Sequence, residues 1–288
     1  MFRDKFKSES YFKASIPGIV NNIKHSKAKT LQFEVQLKEK IPLVNYYNIA
    51  NGILIYIKRA YSLGESVQDL VSPAKEMITN YTKSWYPDAD YSDGGDIPYS
   101  EFLTIVSIGV LLDTREELTT LHKLVKEVGY KDHLIDFLFK YVDTSGGVSD
   151  HLLWPDDKAS QKLKEITQST KPEAPKLIGE YMANDFYTKE NFDDEYNSHK
   201  RNDNVYDGYW SFEAAALVKI LNVDDSSFKD NPYYPHDMAH FEGTTDAVPA
   251  TIFGPDKSPS GNGKTQPEPD QSKKKWWQFK KGADCTLT

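Results

Sequence analysis

Cysteine is almost missing from this chain. Cys285 is the only one among 288 residues, so no internal disulfide framework can form, and the composition suits a reducing compartment. Long apolar runs are missing too. No stretch of about 18 apolar residues occurs, and the first 22 positions carry Asp4, Lys5, Lys7, Glu9 and Lys13 with no hydrophobic region of the kind a secretion signal needs. Neither export nor a membrane span is expected, which makes the cytoplasm the expected location. The closing Cys-Thr-Leu-Thr only mimics a prenylation box, because Thr286 is not aliphatic. Signatures of catalysis are equally scarce: no glycine-rich phosphate loop, no nucleophile elbow and no cysteine nucleophile inside the body, so neither an enzymatic role nor a cofactor is expected.

What the chain does have is length and rings. Its 288 residues can bury a sizeable core, and a 13% aromatic share within 39% hydrophobic residues predicts a core of Tyr, Phe and Trp rather than aliphatic layers. Apolar residues recur at three- and four-residue spacing, as in Leu43, Tyr46, Tyr47, Ala50, Ile53, Leu54 and Ile57, and no segment alternates. The spacing predicts an all-α protein with helices near 3–25 (disturbed by Pro17), 28–40, 42–62, 66–86, 99–112, 114–128, 131–142, 157–168, 173–187 and 208–222. Asp113–Thr114 is expected to cap the helix that follows. The expected organisation is a two-domain helical bundle, 1–128 and 129–255, followed by a flexible basic tail over 256–288 rich in Pro, Gly, Ser and Lys. That tail ends in KKKWWQFKK, whose lysines beside Trp276, Trp277 and Phe279 suit an anionic membrane surface or a partner groove. A helical adaptor recruited by the tail is an alternative reading, weakened because nine residues are too few to hold a membrane stably alone.

Charge is unevenly placed. Residues 180–242 hold 14 Asp and Glu against 5 Lys and Arg, a balance of −9, whereas 257–288 hold 7 Lys against 3 acids. An acidic body cannot neutralise phosphates, so direct nucleic-acid binding is not expected; charge alone fits a solvated face that keeps the protein soluble, or a basic protein partner. Glu190, Asp193, Asp194, Glu195, Asp203 and Asp207 are the candidate contact residues.

The stretch HDMAH (236–240) places two histidines four apart, formally like the HExxH helix of zinc hydrolases. Asp237 is shorter than the Glu such a base uses, Pro235 precedes, Gly243 follows, and Glu242 is the only acid found near the pair in the search downstream for a third ligand. A hydrolase on His236, Asp237 and His240 is therefore the weaker reading and architecture the stronger. Before it, Trp210, Ala214, Leu217 and Leu221, widened by Phe212, Ala215, Ala216 and Ile220, predict a helix buried over most of its circumference. Glu213 on so apolar a helix must be hydrogen-bonded or meet water, with Tyr209, Tyr233 and Tyr234 as candidate donors.

GYWSFEAAALVKILNVDDSSFKDNPYYPHDMAHF resembles the C-terminal signature of PoNi proteins, the immunity proteins to PoNe-type polymorphic DNase toxins. Gly208, Tyr209, Trp210, Glu213, Ala214, Ala215, Asp224, Asp225, Tyr233, Tyr234, Pro235 and Asp237 carry the likeness. His236 falls on a position the pattern leaves free, and Met238 replaces its Leu. RDKFKSESYF (3–12) resembles the family's opening helix and AYSLGES (60–66) its Tyr-Ser-x-Gly-Glu turn. The resemblance implies an all-helical, non-enzymatic bacterial protein that binds and neutralises a cognate DNase toxin, covering a basic cleft with acidic residues. Partner choice is expected in loops such as 187–207 and 87–98, since signature residues common to a family cannot distinguish partners.

Overall fold

The computed structural model describes residues 1–33, 43–86, 91, 94 and 97–243. The expected tail, Cys285, most of the second predicted helix (28–40) and most of the 87–98 loop lie outside them.

Eleven α-helices and no strand occur among the described residues. They are α1 Glu9–Leu31, α2 Leu43–Leu63, α3 Val71–Lys83, α4 Tyr99–Leu111, α5 Arg115–Glu127 and α6 His133–Phe139, then α7 Lys158–Gln168, α8 Ala174–Asn184, α9 Lys189–Phe192, α10 Phe212–Leu221 and α11 His236–Ala239. None is long and apolar enough to cross a membrane. The all-α expectation holds.

The first helix differs from its prediction at both ends. It starts at Glu9 because Asp4 turns the preceding segment, its Oδ1 accepting from the main-chain N–H of Phe6 at 2.8 Å and of Lys7 at 2.7 Å. Ser8 then caps α1. Pro17 removes one donor without breaking the helix, as the prediction of one helix across it allowed, and the helix runs past the expected end near residue 25 to Leu31. Pairing along one buried flank outweighs a single lost hydrogen bond.

α2 shows why the ring-rich stripe matters. Ile49, Ile53, Ile57 and Ala60 are fully or nearly fully buried and face α1 and α3. α10 lies against α4, with further contacts to α6, α8 and α11. Ala214, Ala215 and Ala216 are all buried, so the backbones approach closely. The described residues, all within 1–243, fall within one contact unit.

Buried acids act as local organisers. Asp132 caps α6 by accepting from Leu134 N–H and Ile135 N–H, and it also accepts from Tyr99 O–H at 3.0 Å and Leu153 N–H at 3.0 Å. The cap expected from Asp113–Thr114 is not made. Thr114 Oγ1 donates to the Gly109 carbonyl instead, and Asp113, at φ 54°, accepts from Tyr141 O–H and pairs with Arg115.

Candidate partner-binding surface and the clasp that supports it

Three stretches far apart in sequence meet at one place. Arg3 from the opening segment sends Nε and Nη2 to Asp237 Oδ2, each at 2.7 Å, and Nη1 to the carbonyls of Tyr61 and Glu65. Its guanidinium lies 4.4 Å from the centre of the Tyr61 ring. Tyr61 O–H donates to the other Asp237 oxygen. Burial, and then the Asp237 carboxylate, hold this phenol well above its ordinary pKa, so it stays a donor.

The next residue along, Ser62, accepts from Trp210 Nε1 at 2.8 Å, and its carbonyl accepts from the N–H groups of Arg3 and Asp4. Asp4 Oδ2 accepts from Tyr206 O–H at 2.6 Å. Two glycines permit the crossing. Gly64 (φ 101°) and Gly208 (φ 102°) sit in the left-handed region, and a Cβ would strike the Met1 carbonyl at the first and Ser62 and the Trp210 ring at the second. RDKF, AYSLGES and GYW…PHD are thus parts of one interlock.

The acidic stretch sits above a floor of rings. Phe6 stacks on Tyr233 with centroids 5.6 Å apart, and Tyr187 lies 4.6 Å from Tyr209 and 5.1 Å from Phe192. Tyr209 O–H donates to the Glu195 carbonyl and accepts from His199 N–H, pinning the loop by main-chain atoms. Asp193 and Asn197 have positive φ, 45° and 61°, so the chain turns sharply twice within five residues.

The six acidic candidates divide. Glu190, Asp193, Asp194 and Glu195 are exposed on α9 and the 3-10 turn after it, and Glu190, Asp194 and Glu195 have no ion-pair partner among the described residues. Asp203 is also exposed but paired with Arg201. Asp207 faces inward: its Oδ1 accepts from Arg59 Nε at 2.7 Å, while the same guanidinium holds the side chain and carbonyl of Asn204. Arg59 is buried, and Asp207 is the counter-charge it needs. Spacing gave no hint of it, since the partners are 148 residues apart.

Glu213 differs from expectation in its partners. Its Oε1 accepts from Tyr181 O–H and Ser211 O–H, both at 2.8 Å, and not from Tyr209, Tyr233 or Tyr234. Burial raises the carboxyl pKa against the lowering effect of these donors.

HDMAH forms a single turn, α11. Asp237 leaves its two neighbours for Arg3 and Tyr61, so it cannot serve as a base beside them. In its place Asp225 comes in from the turn after α10, accepting from Tyr234 O–H at 2.7 Å with His240 Nε2 at the same distance. Burial opposes ionisation of Asp225, and the hydrogen bonds from Tyr234 and His240 overcome it, lowering the pKa. Asp224 meanwhile holds the N–H and hydroxyl of Ser226 on the surface. Pro235 ends the irregular return and stands just before α11.

Comparison with known proteins agrees with the interlock. No curated protein matches. A solved structure described as that of protein PA2201 from Pseudomonas aeruginosa shares the fold, with a TM-score of 0.64 at 17% identity over 83% of this chain and 91% of that one. Residues 3–126 match the family described as PoNe immunity protein (PoNi), N-terminal, and residues 130–238 match its C-terminal counterpart. With both halves matched and their signature residues locked together by Arg3, Tyr61, Ser62, Trp210 and Asp237, this chain belongs to the PoNi family of immunity proteins.

Proposed function

We propose that this protein works in the bacterial cytoplasm as a stoichiometric inhibitor of a PoNe toxin with DNase activity, covering the toxin's basic DNA-binding cleft with the face built from Glu190, Asp193, Asp194 and Glu195. The observation that carries the reading is the pairing of exposed carboxylates with a rigid support. Three of them lack a cation among the described residues, and the turn beneath is pinned by Tyr209. A nuclease must present positive charge to hold phosphates, and an acidic plate held in a fixed shape meets that charge without an ordering cost. Asp203 stands at the edge of this face, with Arg201 tempering its charge.

Charge brings the partners together but does not seal the complex. Complementary fields raise association by roughly 10- to 1000-fold, whereas a nanomolar complex needs about −12 kcal/mol, mostly from a few desolvated anchors. Neither a catalytic step nor a cofactor enters this mechanism. In this reading the chain divides near Gly129 into an N-terminal part over 1–128 and a C-terminal part over 129–255 that carries the acidic face.

Co-expression with the cognate toxin is the test. Cells carrying both genes are expected to survive with intact DNA, and those carrying the toxin alone to die. Undiminished DNA cleavage in the presence of excess purified protein defeats the inhibitor reading. A tight complex that leaves the toxin's DNA cleft open defeats the covering mechanism alone.

A further inference from the structure

The fold supplies what the search along HDMAH did not find, a third ligand. His236 and His240 lie one turn apart on α11 with ring centroids 4.6 Å apart, and Asp225 reaches them from eleven residues upstream of His236. Asp225 Oδ2 is 2.7 Å from His240 Nε2 and 3.8 Å from His236 Nε2, and one donor atom from each of the three side chains lies within 4.8 Å of the other two. The carboxylate is buried, with its side chain 8% exposed, while the imidazoles are 45% and 52% exposed. Tyr234 O–H donates to this same Oδ2 and orients the carboxylate, as outer hydrogen bonds orient metal ligands elsewhere. None of these residues belongs to the acidic face, and none is used by the Arg3–Tyr61–Asp237 contact.

We propose that Asp225, His236 and His240 form a site for a divalent transition-metal ion of the zinc class. Two imidazoles and one carboxylate suit Zn²⁺ or Co²⁺, whereas Mg²⁺ and Ca²⁺ require an all-oxygen shell. Ligands at about 2.0–2.2 Å from zinc stand roughly 3.3 Å apart, so the His240–Asp225 pair opens and the His236–Asp225 pair closes by a few tenths of an ångström. Half-exposed histidine side chains can make that adjustment, and their solvent side leaves the fourth position to water. With Asp237 engaged elsewhere, the acid between the two histidines is not free to act as a base beside the ion, and the ion's role is a staple. It joins the turn after α10 to α11, the helix whose Asp237 holds the opening segment.

The experiment uses the full chain stripped with a chelator, titrated with zinc chloride by calorimetry and with Co²⁺ by visible absorption. One ion per chain is expected, with tetrahedral Co²⁺ bands, a melting temperature that rises with Zn²⁺ and no response to Mg²⁺. His236→Ala and His240→Ala are each expected to weaken Zn²⁺ binding by about tenfold or more. Asp237→Asn, which alters α11 without touching the ligands, is expected to retain it. No stoichiometric zinc and no rise in melting temperature for the unaltered chain overturn the proposal, as does binding that both histidine variants keep. The metal-induced rise needs no variant to fold.

Discussion

Arg3 and Asp237 stand 234 residues apart in sequence and share one carboxylate oxygen through two guanidinium nitrogens, each at 2.7 Å. The contact ties the opening segment to the last described helix and draws Tyr61 between them. It belongs to packing rather than docking, because Arg3 also holds two carbonyls of the α2 terminus.

Removing either end should therefore be felt in stability. Arg3→Ala strands two carbonyls and is expected to cost about 1–3 kcal/mol. Asp237→Ala is expected to cost less, since its side chain is 43% exposed. In urea denaturation of the two single variants and the double, a coupling of about 0.5–1 kcal/mol is expected; strict additivity would show that the pair does not interact.

Trp210 is the larger anchor. Its ring packs edge-on against Tyr61 at 4.9 Å while Nε1 holds Ser62. Trp210→Ala is expected to destabilise the fold by roughly 3–5 kcal/mol. Trp210→Phe keeps most of the ring and deletes the donor, for a cost of about 1–3 kcal/mol in the same denaturation series. Equal losses in the two variants would assign the effect to something other than ring volume.

The acidic face should behave oppositely. Changing Glu190, Asp194 and Glu195 together to Ser is expected to shift stability by no more than about 0.5 kcal/mol. Toxin association, followed by stopped flow, is expected to slow, with the difference shrinking as salt shortens the Debye length to about 3 Å at 1 M. A lowered melting temperature with an unchanged association rate would make these residues structural.

Glu213 gives a pH signature. Its carboxyl pKa is raised in the folded protein, first by burial, so the native state holds its proton more tightly than the unfolded chain does. The resulting stabilisation is fully present below the unfolded value of about 4.3 and is lost as pH rises through the folded value. Glu213→Gln retains an acceptor for Tyr181 and Ser211 without the charge. Its melting temperature relative to the unaltered chain is expected to be lower or equal at acid pH and to gain as pH rises from the unfolded value through the folded one, then to level off. A difference that stays flat with pH would contradict the raised value.

The sequence made the helical scaffold legible because burial writes itself at fixed spacing. The stripe from Leu43 to Ile57 became α2, and the segments near 99–112 and 157–168 became α4 and α7 within a residue at each end. The end of α1 at Leu31 was not legible, since its packing against α2 is not a local signal. The network under the site was legible only as separate motifs. Arg59 with Asp207, Tyr181 with Glu213 and Asp225 with the two histidines are meetings of distant chain, and no periodicity encodes them. The search for a third ligand failed for the same reason: it ran downstream, whereas the turn after α10 brings one from upstream.

Tyr209 grips the loop above it chiefly by the Glu195 carbonyl and the His199 amide, atoms that every amino acid except proline possesses. Side chains at 190, 194 and 195 can consequently be exchanged without loosening that grip. If the acidic face meets the toxin as proposed, adaptation to a new adversary is thereby decoupled from the risk of unfolding.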